Sequence, residues 1–268
     1  MDANLKARIA TAAVGIPLLV WLIAWGPPWL FATVFFMLTV GALYEYFAMT
    51  FPQAWQLRFA GNAFGVALAL AVILSGQSMA IEYFGAALVS VFSASLFFHE
   101  KLTARTNTLV RTLLGGLYIG YLTPFVVLLL RRPEGRAWMG WLLFVIMSGD
   151  SAAYFIGRRY GKRKLAPGLS PGKTLAGAWG YLLGAVIVGL AGAAVVFKEF
   201  SWLEILLLSL ALGVLGQVGD LFESWLKRLS AVKDSGSLLP GHGGLLDRLD
   251  SLIFPAVFTT SYLRMFHS

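Results

Sequence analysis

Long uncharged apolar runs separated by short polar breaks dominate this chain, and the period-two alternation of a barrel strand is missing. Hydropathy places spans near residues 9–25, 29–48, 60–76, 80–98, 109–130, 138–156, 175–197, 201–219 and 251–266. A hydrocarbon layer about 30 Å thick is crossed by helices of this length, which satisfy their own backbone groups in lipid. The pattern predicts an all-α fold, a polytopic transmembrane helical bundle of about nine helices. Gly116/Gly120 and Gly180/Gly184 are small-residue pairs four apart, which read first as packing within the chain and second as a homodimer interface. Trp21, Trp25, Trp29, Trp138, Trp141 and Trp202 fall near span ends, where their amphipathic rings are expected to anchor the membrane interface.

Charge sets an orientation for these spans. With the N-terminus on the cytoplasmic side, most of the 21 lysines and arginines fall inside, leaving Arg131, Arg132, Arg136, Lys198 and Arg264 outside. The 131–136 loop is an exception to that rule. Lys6 and Arg8 precede an apolar run as in a signal peptide, but no small-residue cleavage site follows and a second span begins at once, so the segment reads as a retained helix. No repeat or low-complexity linker divides the chain, which reads as one membrane domain. Within it, residues 1–137 read as scaffold helices and 138–268 as a catalytic region, because before residue 148 the spans contain few polar groups and afterwards charged and glycine-rich segments interrupt the apolar runs.

Composition agrees with lipid as the solvent: 58% of the 268 residues are hydrophobic and 13% charged, with a mean hydropathy of +0.75. The net charge of +8 is explained by membrane orientation and anionic lipid, and nucleic acid is not an expected partner. The absence of cysteine excludes disulfides, thiolate metal sites and a thiol nucleophile.

The polar segment 217–250 carries the densest chemistry. In its first part, Gln217, Asp220, Ser224, Lys227 and Arg228 share one face if the eighth helix continues. A solvated helix face is the bland reading, but the stripe grows directly out of apolar helix, where an ionisable group is costly and usually functional. Downstream lie Lys233-Asp234-Ser235-Gly236, then Pro240-Gly241-His242-Gly243-Gly244, then Asp247-Arg248-Leu249-Asp250. Glycine permits positive φ and close backbone approach, so such a loop is able to aim N–H groups at phosphate. Asp247 and Asp250 fit either metal binding or helix capping; the former role is assigned mainly to Asp247 and the latter mainly to Asp250. Carboxylates interleaved with lysine and arginine suit a phosphate bound with a hard divalent cation. His242 reads equally as a base or phosphate donor and as a residue bonding its own loop.

A second constellation comprises Ser148-Gly149-Asp150-Ser151, the basic run 158–164, and Ser170-Pro171-Gly172-Lys173-Thr174. Asp150 interrupts an apolar run and is expected to face the bundle interior. Gly172-Lys173-Thr174 matches the end of a phosphate-binding P-loop, but Pro167 stands where its first glycine belongs and no strand is expected before it. A hydroxyl, a glycine and a lysine at a helix N-terminus still favour an anion. The run 158–164 reads mostly as topogenic charge.

From Ser224 through Lys227-Arg228, Lys233-Asp234, Pro240-Gly241-His242-Gly243-Gly244 and Asp247-Arg248 to Asp250, the sequence resembles the signature of the phosphatidate cytidylyltransferases, or CDP-diacylglycerol synthases. The Asp150 segment and Ser170-Pro171-Gly172-Lys173-Thr174 are similar to that family too, so the resemblance covers about 140–268, with the earlier spans alike in hydropathy. Many members continue the second motif with Trp-Glu-Gly. Here Leu175-Ala176-Gly177 follows, and no carboxylate carries over at 176.

The resemblance implies transfer of CMP from CTP to phosphatidic acid, giving CDP-diacylglycerol and pyrophosphate for phospholipid synthesis at a bacterial cytoplasmic (inner) membrane, with the site facing the cytoplasm. Its partners are CTP, phosphatidic acid held in the bilayer, and membrane lipids. The expected catalytic residues are Asp220, Lys227, Arg228, Asp247 and Arg248. Ser170, Lys173, Thr174, Ser224, Lys233, Asp234, His242, Gly243 and Gly244 are the expected substrate contacts. Mg²⁺ is expected on Asp220 and Asp247, with Asp150 and Asp250 as support or as a second site for a cation such as K⁺. A phosphomonoester is largely ionised at neutral pH, so its attack on CTP needs no strong general base, which fits the lack of an evident catalytic dyad. The competing readings are another lipid-phosphate transferase or kinase, and a cation transporter.

Overall fold

The computed structural model describes residues 3–76, 79–95, 102–197, 199–236 and 243–267. Its helices are α1 Ala3–Ala24, α2 Pro28–Thr50, α3 Trp55–Ser75, α4 Ala80–Ser95, α5 Leu102–Gly115, α6 Phe125–Leu130, α7 Gly135–Tyr160, α8 Leu175–Val196, α9 Trp202–Leu229 and α10 Leu246–Phe266. A π-helical stretch, Gly116–Tyr121, joins α5 towards α6, and Thr103–Leu130 behaves as a single apolar rod. Each expected span coincides with helical structure over its described residues; the end of the 80–98 span lies outside them, and the 109–130 span is divided among α5, the π-helical stretch and α6. Six are long and apolar enough to cross a membrane, and the protein is an all-α, polytopic integral membrane protein. Large apolar side chains such as Phe59, Leu74, Phe144 and Val195 point outward, as lipid-facing residues do.

Local sequence sets several helix starts. Pro28 opens α2 with a φ already suited to a helix. The side chains of Ser201 and Thr174 accept the N–H groups of Glu204 and Gly177 at 3.2 and 3.1 Å, capping α9 and α8. One departure from the all-helical expectation is a small antiparallel hairpin of β1 Lys164–Ala166 and β2 Ser170–Thr174, with Lys164 opposite Thr174 and Ala166 opposite Ser170. Pro167 and Gly168 suit the turn between them. A strand therefore does precede Gly172-Lys173-Thr174, contrary to expectation, yet those residues are themselves extended rather than wrapped as a P-loop.

The described chain forms two compact units, one of residues 1–128 with 234–246 and one of residues 129–233 with 247–268. In the first, α2, α3 and the π-helical stretch pack through small residues, with a Cβ at Gly65 meeting Leu43 Cδ2 at 2.6 Å and one at Gly120 meeting the Gly65 carbonyl at 2.6 Å. The Tyr46 hydroxyl donates to the Arg111 carbonyl at 2.9 Å, and Arg111 Nη1 donates to the Thr50 carbonyl at 3.1 Å. In the second unit, α8 lies along α7, and a Cβ at Gly184 would meet the Ser148 carbonyl at 2.7 Å. Both small-residue pairs thus serve packing within the chain.

Two of the expected interface anchors are core residues instead. Trp138 and Trp141 are 3% and 4% exposed. The Trp138 ring stacks on Phe197 with centroids 3.9 Å apart, and Trp141 Nε1 donates to the Gly189 carbonyl at 2.9 Å. Their position near a span end was read correctly; the face they occupy was not, because it is set by Gly189 on α8 and Phe197 just past its end. At the far end of α9, Glu204 receives Tyr262 of α10 and His267 just beyond it, the latter at 2.8 Å.

Candidate active site

The second unit contains a cavity of about 390 Å³ where the ends of α7, α8 and α9 meet the hairpin. Asp150 and Arg158 enter it from α7, Lys164 and Lys173 from the two strands, and Gln217 and Asp220 from α9. The volume is of the size that holds a small ligand. Lys173 Nζ lies 2.6 Å from Asp220 Oδ2, so β2 is tied to α9 by an ion pair inside the cavity.

Close helix approach makes this convergence possible. Thr174 has extended backbone and sits under α7, where a Cβ at Gly157 or Gly161 would lie 3.0 or 2.5 Å from its hydroxyl. Gly219 packs directly against the Asp250 carbonyl, and a Cβ at Gly216 would meet the Tyr181 hydroxyl at 2.5 Å. Tyr181 is 3% exposed, and its hydroxyl has no hydrogen-bond partner among the described residues. Asp150, Asp220 and Tyr181 line the cavity together, and Asp250 adjoins them through Gly219, so the three carboxylates form one acidic group.

Asp250 is not the cap it was expected to be. Helix α10 starts at Leu246, which puts Asp250 inside it, 8% exposed, with its Oδ1 accepting the Ser251 N–H at 2.7 Å. Asp247 stands apart from the acidic group. Lys227 Nζ bridges Asp247 Oδ1 at 2.6 Å and Glu223 Oε2 at 2.5 Å, and Glu223 is fully buried. The polar face of α9 is helical as expected but divides in use. Gln217 and Asp220 line the cavity, Lys227 joins the acid–base–acid bridge, Ser224 is buried, and Arg228 Nε reaches the Leu169 carbonyl at the hairpin tip at 3.2 Å.

The remaining expected residues are placed as follows. Ser170 begins β2, Lys233 follows α9, and the exposed Arg248 lies in the first turn of α10, all in the second unit. Asp234, Gly243 and Gly244 belong to the first unit. Gly243 adopts φ +79°, the left-handed region that favours glycine. His242 lies outside the described residues. Sequence reasoning missed Tyr181 and Glu223, and it gave Arg158 and Lys164 to topology although both line the cavity. Spacing offered one usable signal, since Glu223 falls four residues before Lys227 on the same helix.

A sequence profile described as the cytidylyltransferase family matches residues 6–266. The chain belongs to the cytidylyltransferase family. Among relatives of this cytidylyltransferase-family protein, the phosphatidate cytidylyltransferase of Bacillus subtilis (strain 168) is 41% identical over 154 residues, covering 57% of each chain. That of Brucella suis biovar 1 (strain 1330) is 46% identical over 143 residues, 53% of each chain. That of Staphylococcus saprophyticus subsp. saprophyticus is 43% identical over 140 residues, covering 51% of this chain and 52% of the relative. The chain spans about half the length of the curated relatives it matches.

Proposed function

We propose that this protein transfers CMP from CTP to phosphatidic acid, yielding CDP-diacylglycerol and pyrophosphate, at the cytoplasmic face of a bacterial inner membrane. The observation that carries this reading is the cavity in which Asp150 and Asp220 meet Lys173, Arg158 and Lys164 at the ends of apolar helices. Acidic and basic groups so interleaved suit a polyphosphate accompanied by a hard cation. The names of the three relatives supply the nucleotide and the lipid.

The donor set fits magnesium. Among the described residues no three Asp, Glu or His side chains form a ready-made shell, and magnesium is ordinarily held by one or two carboxylates together with substrate phosphates and water. Asp150 and Asp220 are the residues that would hold it, and Asp250 supports them from α10. When bound, the ion would neutralise the phosphates and ease the departure of pyrophosphate. Lys173, Arg158 and Lys164 bind and orient the triphosphate. Lys173 exchanges its Asp220 partner for phosphate oxygen as the nucleotide enters. A non-bridging oxygen of the lipid phosphate then forms a bond to the α-phosphorus of CTP, and the α–β P–O bond breaks, its electron pair leaving on pyrophosphate. No proton need be removed from an already ionised nucleophile. Glu223, Lys227 and Asp247 form a supporting bridge that keeps α9 and the start of α10 in register.

The test is incubation of the purified protein with CTP labelled in the cytidine ring, Mg²⁺ and phosphatidic acid vesicles. Label extracted into organic solvent only when all three are present is the expected result. Its absence, with the protein folded, overturns the reading; cation flux across vesicles without CTP would point to a transporter.

A further inference from the structure

Glu45 is an ionisable side chain inside α2, one of the six apolar helices, and it is 3% exposed. A carboxylate placed there is costly unless it has work to do. Its Oε2 accepts the Leu246 N–H at 3.1 Å and the Ser235 hydroxyl at 3.3 Å. Both partners are far along the chain and flank the glycine-rich part of the polar segment. Leu246 is the first residue of α10, so Glu45 places negative charge on an otherwise unpaired donor at a helix N-terminus.

The neighbouring glycines are shaped around the same carboxylate. A Cβ at Gly236 would lie 2.6 Å from Glu45 Cδ, and one at Gly244 would lie 2.5 Å from Glu45 Oε2 and 2.9 Å from the Gly236 nitrogen. The backbones on either side of residues 237–243 therefore converge on one side chain, with Ser235 itself 5% exposed. No other residue type fits at either glycine without displacing Glu45 or the opposite strand of the loop.

We propose that Glu45 is a positioning residue that clasps the two ends of the segment 235–246 and sets where α10 begins. Asp234, Gly243 and Gly244, expected from the sequence as substrate contacts, are carried by or adjoin that segment; taking them as such, a looser clasp is expected to weaken CTP binding. This last step rests on the reading given under Proposed function; the clasp itself does not.

The experiment compares the full-length wild-type protein with Glu45→Ala and Glu45→Gln in detergent micelles. Tryptic cleavage after Lys233 and Arg248, measured without substrate, reads the clasp alone. Glu45→Ala removes the acceptor of the Leu246 N–H and one partner of the Ser235 hydroxyl and is expected to cleave about tenfold faster at these sites, with Arg58 and Arg163 unchanged. Glu45→Gln retains an acceptor oxygen and is expected to restore slow cleavage. Equal acceleration at all four sites, or wild-type cleavage after Lys233 and Arg248 in Glu45→Ala, overturns the clasp. Steady-state assays then read the consequence: Glu45→Ala raises KM for CTP about tenfold and more than it lowers kcat, and Glu45→Gln recovers most of that loss. An unchanged KM in Glu45→Ala despite faster cleavage overturns the link to nucleotide binding. A wild-type protein without CTP-dependent lipid labelling overturns the functional reading, while the cleavage pattern still decides the clasp.

Discussion

Lys173 on the hairpin and Asp220 on α9 meet at 2.6 Å, and they share the cavity with Asp150 and two further cations. Each is partly exposed, 24% and 36% by side chain, so the pair contributes little to folding, about 0–1 kcal/mol. Its value lies in holding two charges ready for a ligand that takes one of each.

Replacing Lys173 by Met is therefore expected to lower CTP-dependent turnover about a hundredfold, with thermal stability in detergent almost unchanged. Asp220→Asn is expected to abolish turnover while the protein still inserts into membranes. Paired kinetics and melting curves check both, and a melting loss matching the activity loss would overturn the separation.

Metal removal gives a second expectation. A chelator stops lipid labelling, and added Mg²⁺ restores it. If Asp150 is a ligand, Asp150→Asn shifts the Mg²⁺ concentration for half-maximal activity upward by about tenfold at saturating CTP. Titration of activity against free Mg²⁺ measures this.

The Glu223–Lys227–Asp247 bridge behaves in the opposite way to Lys173–Asp220. Glu223 is fully buried, so Lys227→Met takes from two acidic side chains the cation they share and is expected to cost about 3–5 kcal/mol of stability. Pairing it with Glu223→Gln removes one of those two acids, and the double variant is expected to melt above Lys227→Met. Thermal unfolding of the three proteins checks the non-additivity.

Glycines distinguish packed from open helix faces. Gly184→Ala brings a methyl to 2.7 Å from the Ser148 carbonyl and is expected to cost about 1–3 kcal/mol, whereas Gly140→Ala meets nothing within 4 Å and is expected to be neutral or stabilising. Melting temperatures of the two variants make the comparison.

Much of the fold was legible because lipid imposes a one-dimensional rule: apolar length translates directly into helices. The polar face of α9 followed from helical periodicity, a local property. What escaped was set by partners distant in sequence. Glu45 reads as a stray carboxylate in scaffold until Ser235, 190 residues away, is seen beside it. Arg158 and Lys164 sit in a basic run whose topogenic reading was sufficient; Arg158 reaches the cavity on α7, and only the hairpin brings Lys164 there. Asp250 was read as a cap because the start of α10 was placed too late.

Gly219 presses against the main chain of Asp250, leaving no room for a side chain at that one crossing of α9 and α10. Elsewhere the two helices meet through side chains, Phe222 against Phe254 and Glu204 against Tyr262. A carbonyl against a Cα has no rotamer with which to absorb a shift, so the acidic residues on either side of this crossing, Asp220 and Asp250, are held at a fixed spacing while the rest of the contact is free to adjust.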